Sequence, residues 1–292
     1  MTEVLDYQTF HEHAFAVVDA RMVEHLPAGL ATEALVPKSL AASAHLMPTL
    51  IDLKRTPRAR SDALFERICE SPPDACVPPL VALLARASTD AAVFVRHWNS
   101  VQLVECRPGT KLWLRLHDPR VLHQMLRVLS LAQRRKLFGP SQALTYCVSG
   151  AWMSIAREVD ASANQIAGSD CSSPCAVWPM TWNWERIERI GLVNRAIHGA
   201  GVIGPAAMTS QGVLAEQFIE RAIQHGLVEQ ADLVEFATRG LLTNSRFDDH
   251  PAVIRAIRPS PDGDSCLSDR FALIPEHVWN ELRQTKPMQG EL

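Results

Sequence analysis

Several stretches of this chain hold residue types at a spacing that could carry chemistry. His117-Asp118 has the form of a histidine–aspartate hydrolase motif, in which both side chains ligate a metal from a helix. Here the pair stands where a strand pattern gives way to a helix pattern, so the expected reading is a strand-end histidine beside a capping aspartate. Gly199-Ala-Gly-Val-Ile-Gly204 fits G-x-G-x-x-G, whose glycines let backbone approach a pyrophosphate at a helix N-terminus after a strand. Its context differs: Glu185 to Ile197 reads as a helix, Pro205 follows at once, and the nearest acids, Glu216 and Glu220, fall on another predicted helix. A flexible connection is expected, and a nucleotide-dependent enzyme using Gly199–Gly204 is the alternative.

His11-Glu-His13 could place two imidazoles together, and Cys171-Ser-Ser-Pro-Cys175 could clip a metal with two thiolates. Neither pair has the second pair that four-ligand sites combine, so no metal and no cofactor are expected. No Gly-x-Ser-x-Gly elbow offers a hydrolase nucleophile. Trp178, Trp182 and Trp184 put three of the seven tryptophans within one short stretch. They are candidates for a protein-binding anchor, with core packing as the competing use of so much aromatic area.

The elements that position His117 and Asp118 follow from local pattern. Leu112, Leu114 and Leu116 alternate with Lys111, Trp113, Arg115 and His117, the period of a strand with one face on a core. Asp118 then caps, and Pro119 fits a first helical position, where its missing N–H costs nothing. Val121, Leu122, Met125, Leu126 and Leu129 recur at three- and four-residue spacing and make one apolar stripe that can cover a sheet. Upstream, Arg107-Pro-Gly-Thr110 is a turn joining Val101–Cys106 to Leu112–Leu116 as a hairpin.

Further strands are expected at Phe15–Val18, ending on a capping Asp19, at Thr49–Leu53, at Leu80–Leu84 in a central position, and at Leu144–Val148 and Trp152–Ala156 around Ser149-Gly150. Helices are expected from Ser61 and from about Ser88, and later over Asn183–Ile197, Gln211–His225, Gln230–Arg239 and Pro275–Gln284. Together these predict an α+β, or mixed α/β, chain. Residues 1–157 form a mixed sheet with covering helices, 158–180 a linker or long loop, and 181–292 a mainly helical C-terminal lobe.

Leu114-Arg-Leu-His-Asp-Pro-Arg-Val-Leu122, followed by Leu137-Phe-Gly-Pro140, resembles the arginine–aromatic–aspartate–proline–arginine signature of the domain-of-unknown-function 4123 family. His117 stands where that signature has Tyr or Phe. Phe15-Ala-Val-Val-Asp-Ala20 and Ser245-Arg-Phe-Asp-Asp-His-Pro251 are similar to further family segments. The resemblance implies a cytoplasmic bacterial adaptor, or chaperone, that binds a type VI secretion effector and helps load it onto the spike protein for toxin delivery, without being an enzyme. It carries Arg115, Asp118, Pro119 and Arg120 over as a structural motif.

Composition agrees with a globular chain that can bury a core: of 292 residues, 47% are hydrophobic and 21% charged. With 29 basic against 32 acidic residues there is no basic excess to neutralise a phosphate backbone, so nucleic acid is not an expected partner. No signal-peptide pattern opens the sequence and no run of about 18 apolar residues occurs, so a cytoplasmic protein without membrane contact is expected. Seven cysteines at irregular spacing argue against a disulfide framework.

Overall fold

The structure, a computed structural model, describes residues 2–3, 5–70, 78–158, 183–258 and 265–284. The chain divides into two compact units, Met1–Trp184 and Glu185–Leu292. The connection expected at 158–180 lies, apart from Glu158, outside the described residues.

In the first unit the elements run β1 (Thr2–Glu3), α1 (Tyr7–His11), β2 (Phe15–Val18), β3 (Thr32–Ala34), β4 (Thr49–Asp52), α2 (Arg58–Glu70), β5 (Leu83–Ala87), α3 (Ala91–Gln102), β6 (Leu103–Arg107), β7 (Thr110–Trp113), α4 (Pro119–Val128), α5 (Leu131–Phe138), β8 (Ser141–Val148) and β9 (Ala151–Ala156). A 3₁₀ turn over Ala20–His25 follows β2, and a second covers Lys38–Leu46.

Seven strands form one sheet in the order β1-β9-β8-β5-β2-β4-β3. The class is α+β, as expected, but every described pairing is antiparallel, so the ladder is not the mixed one anticipated. The reason lies in β2. The β4–α2–β5 crossover leaves β4 and β5 running the same way, and β2 is inserted between them, antiparallel to both. All four residues of β2 are buried, because helices cover both faces and each strand must be apolar on both sides. On one face Phe10 of α1 and Leu64 and Ile68 of α2 pack with Ala16, Val18, Ile51 and Leu84. On the other, Phe15 meets Phe94 of α3 at 4.7 Å, and Tyr146 of β8 bonds His123 of α4 at 3.0 Å.

The hairpin of β6 and β7 is present but forms its own two-stranded sheet. Its turn uses Pro108 and Gly109, the latter at φ +76°. The strand pattern read through His117 stops at Trp113. Beyond it the amides of Leu116 and Asp118 bond back to Leu114 and Arg115, so the chain winds into turns while Leu114 and Leu116 stay buried. The predicted cap at Ser61 is also displaced. α2 begins at Arg58, the Pro57 carbonyl takes the amides of Arg60 and Ser61, and Ser61 is a buried residue inside the helix.

The second unit, with Trp184 at its boundary, holds α6 (Trp184–Glu188), α7 (Ile190–Gly199), α8 (Pro205–Gln224), α9 (Gln230–Leu242), α10 (Pro251–Ile257), α11 (Leu267–Ala272) and α12 (Glu276–Gln284), with no strand among its described residues. The single helix expected over 183–197 is therefore two, α6 and α7, although the Arg189 amide still bonds the Glu185 carbonyl across the break. Gly240 does not follow the end of α9, which was expected at Arg239. It lies within the helix because a Cβ there would stand 2.6 Å from the Phe218 ring, so only glycine lets α8 and α9 approach this closely. No described helix is long and apolar enough to cross a membrane.

Candidate functional site: paired aspartate–arginine junctions

Two segments far apart in sequence, Asp19-Ala-Arg21 and Asp118-Pro-Arg120, adopt the same local geometry. Each aspartate is itself in an extended conformation and accepts the amide two residues on, at 2.9 Å for Arg21 and 3.0 Å for Arg120. The same carboxylate then takes a side-on fork from the arginine of that residue. The Nε and Nη2 distances are both 2.9 Å at Asp19, and 3.0 and 2.9 Å at Asp118. One carboxylate thus closes a helix start and fixes a guanidinium, a stronger arrangement than a neutral cap. Pro119 sits in the first turn as predicted, and Arg115 approaches Asp118 Oδ2 at 3.8 Å.

His117 joins the two junctions. It is buried, its Nε2 lies 3.8 Å from Asp19 Oδ2, its ring stacks on Trp113 at 5.8 Å, and its Nδ1 has no hydrogen-bond partner among the described residues. Burial pulls its pKa below the ordinary imidazole value, with Arg115 and Arg21 adding to the fall and Asp19 and Asp118 opposing it. Burial pushes the Asp118 carboxyl up, and its bonds and attraction to Arg120 more than reverse this, leaving it below the usual range. Asp19 is lowered chiefly by its bond to Arg21.

A pH dependence of stability follows. Burial also depresses His13 and His97, so the folded state resists protons that the unfolded chain accepts near pH 6.5. Stability is then full above about pH 6.5 and falls as the solution is acidified below it, with a second loss below about pH 4 as Asp19 and Asp118 protonate. Urea midpoints measured from pH 7.5 down to about 5.5 should decline, and His117→Phe should shallow that slope. A midpoint flat or rising on acidification contradicts the assignment.

The third segment singled out, Ser245–Pro251, lies in the second unit and is organised by Asp248. That buried carboxylate bonds Arg221 Nε at 3.1 Å and His225 Nε2 at 3.0 Å, while Phe247 beside it packs against Phe218 and Phe236. His11 and His13 do not face one another. His11 pairs with Asp62 at 3.0 Å, and His13 bonds Thr145 at 2.9 Å. No group of three metal-ligating side chains occurs among the described residues. Cys171, Cys175, Trp178 and Trp182 lie outside the described residues, and Trp184 opens α6. Gly199 ends a helix rather than following a strand, and Gly201 and Gly204, at φ +65° and +94°, turn the chain into α8.

The pairing of Asp19 with His117 and the fork on Arg21 were not foreseen from sequence. Their one signal is the repeated Asp-x-Arg spacing at the ends of two apolar stretches.

The first unit is thus an antiparallel sheet covered by helices on both faces, with two arginine-clamped aspartates at helix starts. Residues 14–136 match the family model described as Domain of unknown function (DUF4123). The match contains both Asp-x-Arg junctions and stops before Leu137–Pro140 and Ser245–Pro251, which also carried the resemblance. No curated protein and no solved structure matches the chain.

Proposed function

We propose that this chain is a cytoplasmic adaptor, or chaperone, that binds the effector toxin of a type VI secretion system and helps load it onto the spike protein, itself catalysing no reaction. The observation that carries this reading is the DUF4123 match over residues 14–136, which includes the signature residues Arg115, Asp118, Pro119 and Arg120. The chemistry of the junction is consistent with it. Both aspartates are committed to caps and arginine forks, which suits a structural and recognition role better than proton transfer. The helical unit adds apolar side chains in solvent, Leu273 at 83% and Val228 at 80% exposure, of the kind a protein partner covers.

The test is co-expression of the full chain with a candidate effector and spike protein from the same source, followed by affinity capture and gel filtration. A complex containing all three is expected. Failure to retain the effector under conditions where each protein is folded contradicts the adaptor role.

A further inference from the structure

The two junctions share one electrostatic plan, with the negative charge inside and the positive charge outside. The side chains of Asp19 and Asp118 are 15% and 11% exposed, whereas those of Arg21, Arg115 and Arg120 are 67%, 54% and 50% exposed. Solvent therefore meets guanidinium at this surface, in a chain whose net charge is −3. The groups are close enough to act on one another. Arg21 is drawn by Asp118 as well as by its own Asp19, and it opposes the charge on Arg120. Three guanidiniums outnumber the two carboxylates beneath them, and burial disfavours the charged form of the imidazole between the carboxylates.

We propose that Arg21, Arg115 and Arg120 form a receptor for an acidic segment, two or more Asp or Glu carboxylates, on a protein partner. This rests on the adaptor reading for the identity of that partner and adds the chemistry by which it is held. The forks on Asp19 and Asp118 use Nε and Nη2 of each arginine, and the remaining edge of the planar guanidinium is the one suited to a second carboxylate. Because the aspartates already fix Arg21 and Arg120, little side-chain freedom remains to be lost on binding. A mobile lysine patch of equal charge lacks that advantage. Arg115, held only at 3.8 Å from Asp118, is the arm free to adjust. The negative balance of the whole chain favours a short acidic peptide over a nucleic acid, which would meet repulsion beyond the patch.

The experiment uses the full chain and fluorescence anisotropy with labelled hexaglutamate, hexaglutamine as the uncharged control and oligothymidylate as the nucleic-acid control. Hexaglutamate should bind at low salt, weaken as salt rises, and exceed both controls. Arg115→Gln should weaken it about fivefold, and Arg21→Gln with Arg115→Gln by more than about tenfold. Arg67→Gln, the same charge change at an exposed arginine on α2, should leave it unchanged. Arg115→Gln should also leave the thermal midpoint in place, so its loss of binding is not a loss of fold. Equal binding by wild type and the double variant, equal loss from Arg67→Gln, or tighter binding of oligothymidylate overturns the proposal. The adaptor reading fails separately. If the double variant still captures effector and spike as wild type does, the receptor is wrong and the adaptor stands. If hexaglutamate binding needs the arginines while no effector is captured, the receptor stands and the adaptor reading does not.

Discussion

Asp118→Ala lowers the stability of the first unit by about 2–3 kcal/mol, the cap alone accounting for about 0.5–2 kcal/mol of this and the orphaned arginine fork for the rest. The carboxylate is nearly buried and accepts three bonds from Arg120, one from its amide and two from its guanidinium. Alanine leaves that amide open at the start of α4 and releases a half-exposed guanidinium into solvent, where its charge is screened, so the ion pair is weighted lightly. The loss reaches the core because α4 covers the sheet through Leu122, Met125 and Leu126. Asp118→Asn keeps an acceptor for the amide and loses the charge, so about half the effect is expected. Urea unfolding followed by tryptophan fluorescence measures both. An unmoved midpoint in the alanine variant would mean that the cap contributes nothing.

A loss of about 3 kcal/mol or more is expected for Gly139→Ala, for two reasons that can be separated. The residue has φ +52° and ψ −119°, a region a side chain enters only at a cost of about 1–3 kcal/mol. Its Cβ would also stand 2.2 Å from the His97 ring, which is fixed by a 3.0 Å bond from Nε2 to the Leu137 carbonyl. Overpacking of this kind costs about 1–3 kcal/mol more. The cycle with His97→Ala separates the parts, since the double variant keeps the backbone strain and loses the clash. Its destabilisation should fall short of the sum of the single variants. Strict additivity would place the whole cost in the backbone and sink the steric half of the account.

Both sites show what sequence reveals and what it conceals. Asp118-Pro119 as a helix start, Asp19 at the end of Phe15–Val18, and the Ser149-Gly150 hairpin were all legible, because a cap or a tight turn is decided within a few residues. In the hairpin Ser149 and Gly150 both take positive φ, as a two-residue connection requires. What escaped was decided by partners distant in sequence. The insertion of β2 between β4 and β5 is a pairing choice that no local period encodes. Gly240 reads as a helix stop until Phe218 is seen against it. The approach of His117 to Asp19 depends on α4 and the turn after β2 meeting at one place, and only the repeated Asp-x-Arg spacing hinted at it.

The strand order also constrains the sequence of folding events. A ribosome releasing this chain exposes β2 first as a strand with two open edges, and neither can close before β4 and β5 emerge. β1 waits longer still, because Thr2 pairs with Met153 and Glu3 with Trp152 at the far end of the unit. The sheet therefore has a high contact order, and its slow steps are loop closures rather than helix formation. During that interval Phe15–Val18, apolar on both faces, is the segment most open to pairing with another nascent chain. The charged and polar residues that flank it, His11, Glu12, Asp19 and Arg21, then act as gatekeepers against aggregation, Asp19 and Arg21 before they serve the folded junction.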